Sequence, residues 1–151
     1  MEKVAYNEPH RIPLAGLLSW LVPGLGHIYL GDRVRGSVCL VAITATFWTG
    51  VAIGGAGTTI DPTDRTLWFA AQMCSGVNAI TGVALHSQVV KHWSDQVKAD
   101  AMARWPATEV GVHYTGVAGL LNLLVILDAL ARAELGGGPQ ARRRDELRGL
   151  T

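Results

Sequence analysis

Four long stretches of the chain carry no charged side chain. They lie between Arg11 and Asp32, Arg35 and Asp61, Arg65 and Lys91, and Glu109 and Asp128. A helix rises about 1.5 Å per residue, so about 20 residues cross the hydrocarbon core of a bilayer. The four stretches, of 20, 25, 25 and 18 residues, match that length. The pattern predicts an all-α membrane protein with about four transmembrane helices.

The predicted spans cover about 12–30, 36–57, 66–85 and 110–131, within a single transmembrane domain over 1–135. Between the third and fourth spans, residues 86–105 place apolar side chains four residues apart, with charged residues at other positions. That spacing predicts an amphipathic helix at the membrane surface, ended by Pro106. It also suits a helix folded against the bundle. Residues 136–151 are rich in glycine and arginine, which predicts a flexible tail.

A proline interrupts the first span. Pro23 has no N–H to donate to the carbonyl of Ser19, and its ring crowds that carbonyl. Two structures are compatible with the break: one kinked span that reaches Tyr29, or a short re-entrant helix that returns to the same side of the membrane. The kinked span is the favoured interpretation, because residues 28–30 continue the apolar run.

The most distinctive local motif surrounds this break and precedes a short charged turn. It consists of Pro23, Gly24, Gly26, His27, Tyr29 and Gly31. Over about 14–57 the sequence resembles the two-transmembrane hairpin domain family, although a basic–aromatic pair is usual where this chain has His27-Ile28-Tyr29. With its closing segment 118–130, the whole chain resembles small bacterial membrane proteins of the planctomycete type, which have no assigned activity. The resemblance implies an N-terminal helical hairpin and no particular chemistry.

Polar side chains inside a span need partners. For His27 we expect a backbone carbonyl freed by Pro23. In the third span, Gln72, Ser75, Asn78 and Gly82 share neighbouring positions of one helical face. The favoured interpretation is that these side chains form hydrogen bonds to other helices. The alternative is that they line a polar path.

Two strips of small or polar side chains predict close helix packing. In the second span the strip consists of Ala42, Thr46, Gly50 and Gly54, which recur every four residues. In the fourth span, Gly119 and Asn122 belong to a similar strip. Small residues let helix backbones approach closely where the hydrophobic effect cannot drive association.

An ionisable side chain lies near the end of the fourth span. Asp128 precedes Arg132 by four residues, a spacing at which helical side chains meet. We therefore expect an ion pair close to the membrane surface. The alternative is a proton or ion relay, since ionisable groups within spans often have functional roles.

Charge, cysteines and motifs exclude several classes of protein. The net charge of +1 gives no basic surface for nucleic acid. Cys39 and Cys74 cannot form a disulfide framework or a zinc motif. The sequence holds no metalloprotease, nucleophile-elbow or phosphate-loop motif, and His86 and His92 do not share a helical face. We expect no catalytic residue, no cofactor and no metal.

Four spans place eight Lys and Arg residues on the side of the termini and five on the other, which predicts cytoplasmic termini. If the first segment is re-entrant, three spans remain, the termini lie on opposite sides, and the two sides hold seven and six Lys and Arg residues. The expected function is a non-enzymatic assembly or interaction module whose partners are the bilayer, its own copies or other membrane proteins. The alternatives are a subunit of an oligomeric transporter or channel, and a membrane enzyme that uses His27, His86 or His113.

Overall fold

Helices make up all the regular secondary structure in residues 10–60, 65–103, 105–134 and 149, the part of the chain that the computed structural model describes. They are α1 (Arg11–Leu21), α2 (Leu25–Tyr29), α3 (Arg33–Gly54), α4 (Ala56–Thr59), α5 (Thr66–Met73), α6 (Val77–Val90), α7 (Asp95–Ala103) and α8 (Trp105–Glu134). The expected all-α class is confirmed. Apart from residue 149, the predicted tail at 136–151 lies outside the described residues.

Two of these helices are long and apolar enough to cross a membrane. They are α3, and α8 from Pro106 onward, and they correspond to the second and fourth predicted spans. Pro106 lies in the first turn of α8, where a residue without an N–H removes no helical hydrogen bond. The proline thus lies at the start of a helix, and α7 ends before it, at Ala103.

The first predicted span is divided into two short helices. After α1 the backbone of Val22 is extended, and Gly24 has a φ of 80°, which favours glycine. With 11 residues, α1 rises about 16 Å, too little to cross a bilayer. One kinked helix that reaches Tyr29 is therefore the wrong interpretation.

The chain turns back at this break. Gly26, early in α2, packs against the backbone of Ala15 and the hydroxyl of Ser19. Leu30, just after α2, packs with Ala15 and Ile12. Later residues after the break thus meet earlier residues of α1, so the two helices form a hairpin, as the re-entrant alternative requires.

The third predicted span is also divided. Here α5 ends at Met73, and Gly76, with a φ of 56°, precedes α6. Trp68 and then Ala71 of α5 contact Gly116 and then Gly119 of α8, so these two helices run in the same direction.

Along α3 and α8 the order of contacts is reversed. Gly50 contacts the backbone of Gly111 and the side chain of Tyr114, whereas Gly54 contacts Gly111 and the carbonyl of Ala107. The two helices are therefore antiparallel where they meet. The glycines allow the two backbones to lie in direct contact, because they present no side chain between them.

Helix α6 follows the direction of α3. Asn78, in its first turn, bonds to Thr44, whereas Trp93, just after its end, lies against Gly57. Since α5 runs with α8 and α6 runs with α3, the chain reverses at residues 74–76. Helices α5 and α6 therefore form a second hairpin, with arms of 8 and 14 residues.

The expected amphipathic helix at 86–105 is not continuous. Its first residues belong to α6, which ends at Val90, and α7 begins only at Asp95. Residues 91–94 form the turn between them. The chain separates into two compact units, residues 1–41 with 122–151, and residues 42–121; α3 and α8 contribute to both. The prediction of a single domain stays a prediction.

Replacing Gly50 with leucine should destabilise the protein, because the added side chain meets the Gly111 carbonyl and Tyr114. Overpacking of this kind costs about 1–3 kcal/mol. The matched control is Ala42→Leu on the same helix, which should change stability by less than about 0.5 kcal/mol because Ala42 is exposed. Thermal unfolding of the purified protein, followed by circular dichroism, measures both. Equal losses would contradict close packing at Gly50.

Candidate functional site

Three side chains converge on the carboxylate of Asp128 in the unit of residues 1–41 and 122–151. His27 Nε2 lies 2.8 Å from Asp128 Oδ2, Arg132 Nε lies 2.9 Å away and Arg35 Nη1 lies 3.3 Å away. Arg35 also pairs with Asp32, at 3.6 Å between Nε and Oδ2. The carboxylate therefore links α2, the start of α3 and the end of α8.

The break before α2 positions His27. Gly24 packs directly on the backbone of Gly36 in the first turn of α3, a contact that any larger side chain would prevent. Gly36 in turn contacts Ile28, so α2 lies tightly against α3. In this position His27 is only 1% exposed, whereas Asp128 is 44% exposed. The site thus has a buried side and a side open to the surroundings.

The two ring nitrogens of His27 have different surroundings. Nε2 bonds to the carboxylate of Asp128. Among the described residues, the buried Nδ1 has no hydrogen-bond partner. The imidazole is therefore held in the site through Nε2 alone.

The carbonyl that Pro23 leaves without its helical donor has a different partner. Ser19 O accepts a hydrogen bond of 3.1 Å from Asn122 Nδ2, and both residues are fully buried. The expectation that His27 would bind such a carbonyl is wrong, because the imidazole bonds to Asp128 instead. Asn122, which the sequence placed in a packing strip, thus supplies the hydrogen-bond donor that the Ser19 carbonyl lacks.

The sequence predicts only part of this site. The expected pair, Asp128 and Arg132, is in contact, but Arg35 and His27 were missed as members. The available signal was that His27 and Asp128 are both ionisable residues within apolar segments, and each needs a polar partner. Arg35 gave no such signal, because an arginine in a charged turn is ordinary.

The remaining motif residues have distinct environments. Pro23, Gly24 and Gly26 are buried, whereas Tyr29 is exposed. Gly31 has a φ of 93°, which suits the turn that leads into α3.

The two predicted strips differ along their length. Ala42 is exposed, and Thr46 donates to the carbonyl of Ala42 in its own helix. Further along the strip, Gly50 and Gly54 lie against α8. In the other strip, Gly119 contacts the carbonyl of Ala71.

In the unit of residues 42–121, Gln72 bonds two separate segments. Its Nε2 donates to Thr59 O at 3.0 Å and to Thr115 Oγ1 at 2.7 Å. Gln72 and Thr115 are buried, so these bonds hold α5 to α8 inside the protein.

Asn78 acts similarly between α6 and α3. It accepts from Trp48 Nε1 and donates to Thr44 Oγ1, each at 3.3 Å. Ser75, at the break itself, is buried, and its hydroxyl has no partner among the described residues. Gly82 packs against Ile60.

A second ion pair was not foreseen from the sequence. Arg65 contacts the carboxylate of Glu109, and His113 Nδ1 donates to the backbone carbonyl of the same residue at 2.6 Å. The ring of His113 lies 4.7 Å from that of Trp68. His92, in the turn after α6, donates from Nδ1 to the carbonyl of Gln88 in that helix. Within the described residues, no group of three His, Cys, Asp or Glu side chains could hold a metal ion.

A family model matches residues 14–139, which include the N-terminal motif and the whole of α8. The chain belongs to DUF6677, a family of unknown function. No curated protein and no solved structure matches it. The resemblance of this DUF6677 chain to the two-transmembrane hairpin family, and to the planctomycete group, stays a prediction.

Replacing Asn122 with leucine should lower the free energy of unfolding by about 1–3 kcal/mol, because it leaves the buried Ser19 carbonyl without a donor. Leucine has a similar volume, so packing changes little. The control is Leu123→Ala at the neighbouring exposed position, with an expected effect below about 0.5 kcal/mol. Unfolding in detergent solution, followed by circular dichroism, gives both values. An effect of Asn122→Leu no larger than the control's would show that the amide is dispensable.

His27 and Asp128 should be energetically coupled. The His27→Ala, Asp128→Ala and double variants form a thermodynamic cycle, and we expect a coupling of about 0.5–3 kcal/mol because the two side chains are in direct contact and the imidazole is buried. The same cycle for Arg132 and Asp128 should give less, because part of that pair is exposed. Unfolding of each variant in detergent solution, followed by circular dichroism, gives the free energies for both cycles. Additive effects of the His27 and Asp128 changes would contradict the contact.

Proposed function

We propose that this DUF6677 chain is an integral membrane protein with two complete spans and two re-entrant hairpins. The spans are α3 and α8. The hairpins are α1–α2 and α5–α6, whose tips lie at residues 22–24 and 74–76. In this protein the polar residues of the hairpins and spans hold a helical assembly module together, and its outer apolar faces meet lipid and other membrane helices.

The distribution of burial carries the membrane proposal. Several large apolar side chains are more than half exposed: Leu17, Val34, Val38, Val41, Leu67, Ile80, Leu124 and Leu127. The buried polar residues include Ser19, His27, Thr59, Gln72, Ser75, Asn78, Thr115 and Asn122. In water, exposed apolar area of this kind is unfavourable. Lipid tails solvate it, and they also force polar groups to find partners within the protein.

The breaks support the same conclusion. Non-helical backbone at membrane depth is tolerated only where protein surrounds it or water reaches it. Pro23 and Gly24 at the first tip are buried, as are Ser75 and Gly76 at the second. Both breaks therefore meet the condition that a bilayer imposes.

The charge distribution supports two spans better than four. With α3 and α8 as the spans, the segments before α3 and after α8 share one side of the membrane. That side holds nine of the 13 Lys and Arg residues, namely Lys3, Arg11, Arg33, Arg35, Arg132, Arg142, Arg143, Arg144 and Arg148. The other side holds four. The positive-inside rule then places both termini in the cytoplasm, by a wider margin than the four-span count gives.

The assembly role rests on which helix faces remain available. The glycines of α3 and α8 already pack within the chain, so they are not the surface for a partner. On α8, Leu124 and Leu127 are exposed on neighbouring positions of one face. A transporter would need Gln72 and Asn78 to face a path, whereas their amides bond neighbouring helices. We therefore propose an interaction module, without enzymatic activity, that pairs through the outer face of α8.

Cysteine labelling from each side of the membrane tests the two-span topology. In a background with both native cysteines replaced by alanine, Arg33→Cys and Thr66→Cys are compared with a cysteine added at each terminus. Two spans place position 33 with the termini and position 66 opposite them. Four spans predict the reverse at both positions, so a membrane-impermeant maleimide distinguishes the two.

Co-purification of differently tagged copies from detergent-solubilised membranes tests the assembly role. Leu124→Ala with Leu127→Ala should reduce recovery of the second copy several-fold, because the paired face loses its side chains. Leu67→Ala, an exposed leucine on α5, is the control and should leave recovery unchanged. If wild-type copies neither co-purify nor crosslink to other membrane proteins, the assembly proposal fails.

A further inference from the structure

The start of α3 combines an exposed positive charge with an apolar stripe. Arg33 is exposed, and no described residue pairs with its guanidinium. Arg35, two positions later, is 46% exposed although it pairs with Asp32 and Asp128. Two guanidinium groups thus lie at the surface within the first turn of the helix, and only one of them is neutralised.

The stripe begins between these arginines. Val34, Val38 and Val41 are 73%, 62% and 63% exposed, and their spacing of four and three residues places them on one face of α3. Positive charge at the helix start is therefore followed by a continuous apolar strip along the helix axis. An amphiphile with an anionic head and a long hydrocarbon chain has the complementary order of groups.

We propose that this face of α3 binds an anionic phospholipid. The phosphate-bearing headgroup contacts Arg33 and the exposed part of Arg35, and an acyl chain lies along the three valines. Tyr29, which is 40% exposed just before the turn, is a residue type that lies at headgroup level. The inference rests on the proposed membrane integration.

The proposed topology agrees with this ligand. Two spans place the turn before α3 on the cytoplasmic side, where anionic lipids are concentrated. Four spans would place it on the opposite side. The charge of the two arginines and the side of the membrane therefore point to the same class of lipid.

Lipid retention tests the proposal on the full chain. The protein is reconstituted in equal amounts of phosphatidylglycerol and phosphatidylcholine, extracted in mild detergent, and its retained lipids are counted by mass spectrometry. Wild type should retain more phosphatidylglycerol. Arg33→Gln should lower that preference about fivefold, the equivalent of about 1 kcal/mol per cation near a membrane surface. Val38→Asn should lower total retained lipid.

Lys91→Gln is the matched control, because Lys91 is an exposed cation outside this helix. The preference of the Lys91→Gln variant for phosphatidylglycerol should equal that of wild type. Equal retention of the two lipids by wild type, or equal losses for Arg33→Gln and Lys91→Gln, would overturn the lipid site. Displacement of phosphatidylglycerol by millimolar inorganic phosphate, with Val38→Asn unchanged, would also overturn it, since the site would then bind free phosphate.

Flotation with vesicles of phosphatidylcholine alone separates this proposal from the one on which it rests. Protein that floats and resists carbonate extraction, yet shows no preference for phosphatidylglycerol, removes only the lipid site. Protein that does not float removes the membrane proposal and the lipid site together.

Discussion

The backbone group that most constrains this fold is the carbonyl of Ser19. Pro23 cannot donate to it, and Ser19 is fully buried within an apolar segment. Asn122, about 100 positions away in sequence, supplies the donor at 3.1 Å. The first hairpin and the end of α8 therefore depend on one another, because the hairpin leaves an unpaired acceptor that α8 must meet.

The second hairpin obeys the same constraint with different chemistry. Its break has no proline, and the helix there ends in a turn that requires a positive φ at Gly76. Gln72 lies just before the break and Asn78 just after it, and they bind α8 and α3 respectively. In both hairpins, carboxamide hydrogen bonds join a broken helix to a continuous one. In an apolar solvent such bonds fix which helices are neighbours, although each contributes only about 0.6 kcal/mol on average.

Hydropathy and spacing predict the helical class, the two continuous helices and the contact of Asp128 with Arg132, because these features depend on residues within one turn or one span. Hydropathy and spacing do not distinguish a span from a hairpin, because the run of 20 uncharged residues that contains Pro23 is long enough to form either. Likewise, Gly50 and Ala42 share one sequence strip, yet Gly50 packs on the backbone of α8 whereas Ala42 is exposed. The missing information is tertiary, since it concerns residues far apart in the chain.

Polar residues within the apolar segments hold that tertiary information once they are considered in pairs. Ser19 with Asn122, and His27 with Asp128, each combine a group in the first hairpin with a group on α8. A buried polar group without a partner costs about 1–3 kcal/mol, so each buried member of these pairs needs one. A break in one helix therefore demands a polar side chain on another, and such a side chain in a span indicates where a broken helix lies. By this argument Asn122 and Asp128 of α8 are the complement of the first hairpin.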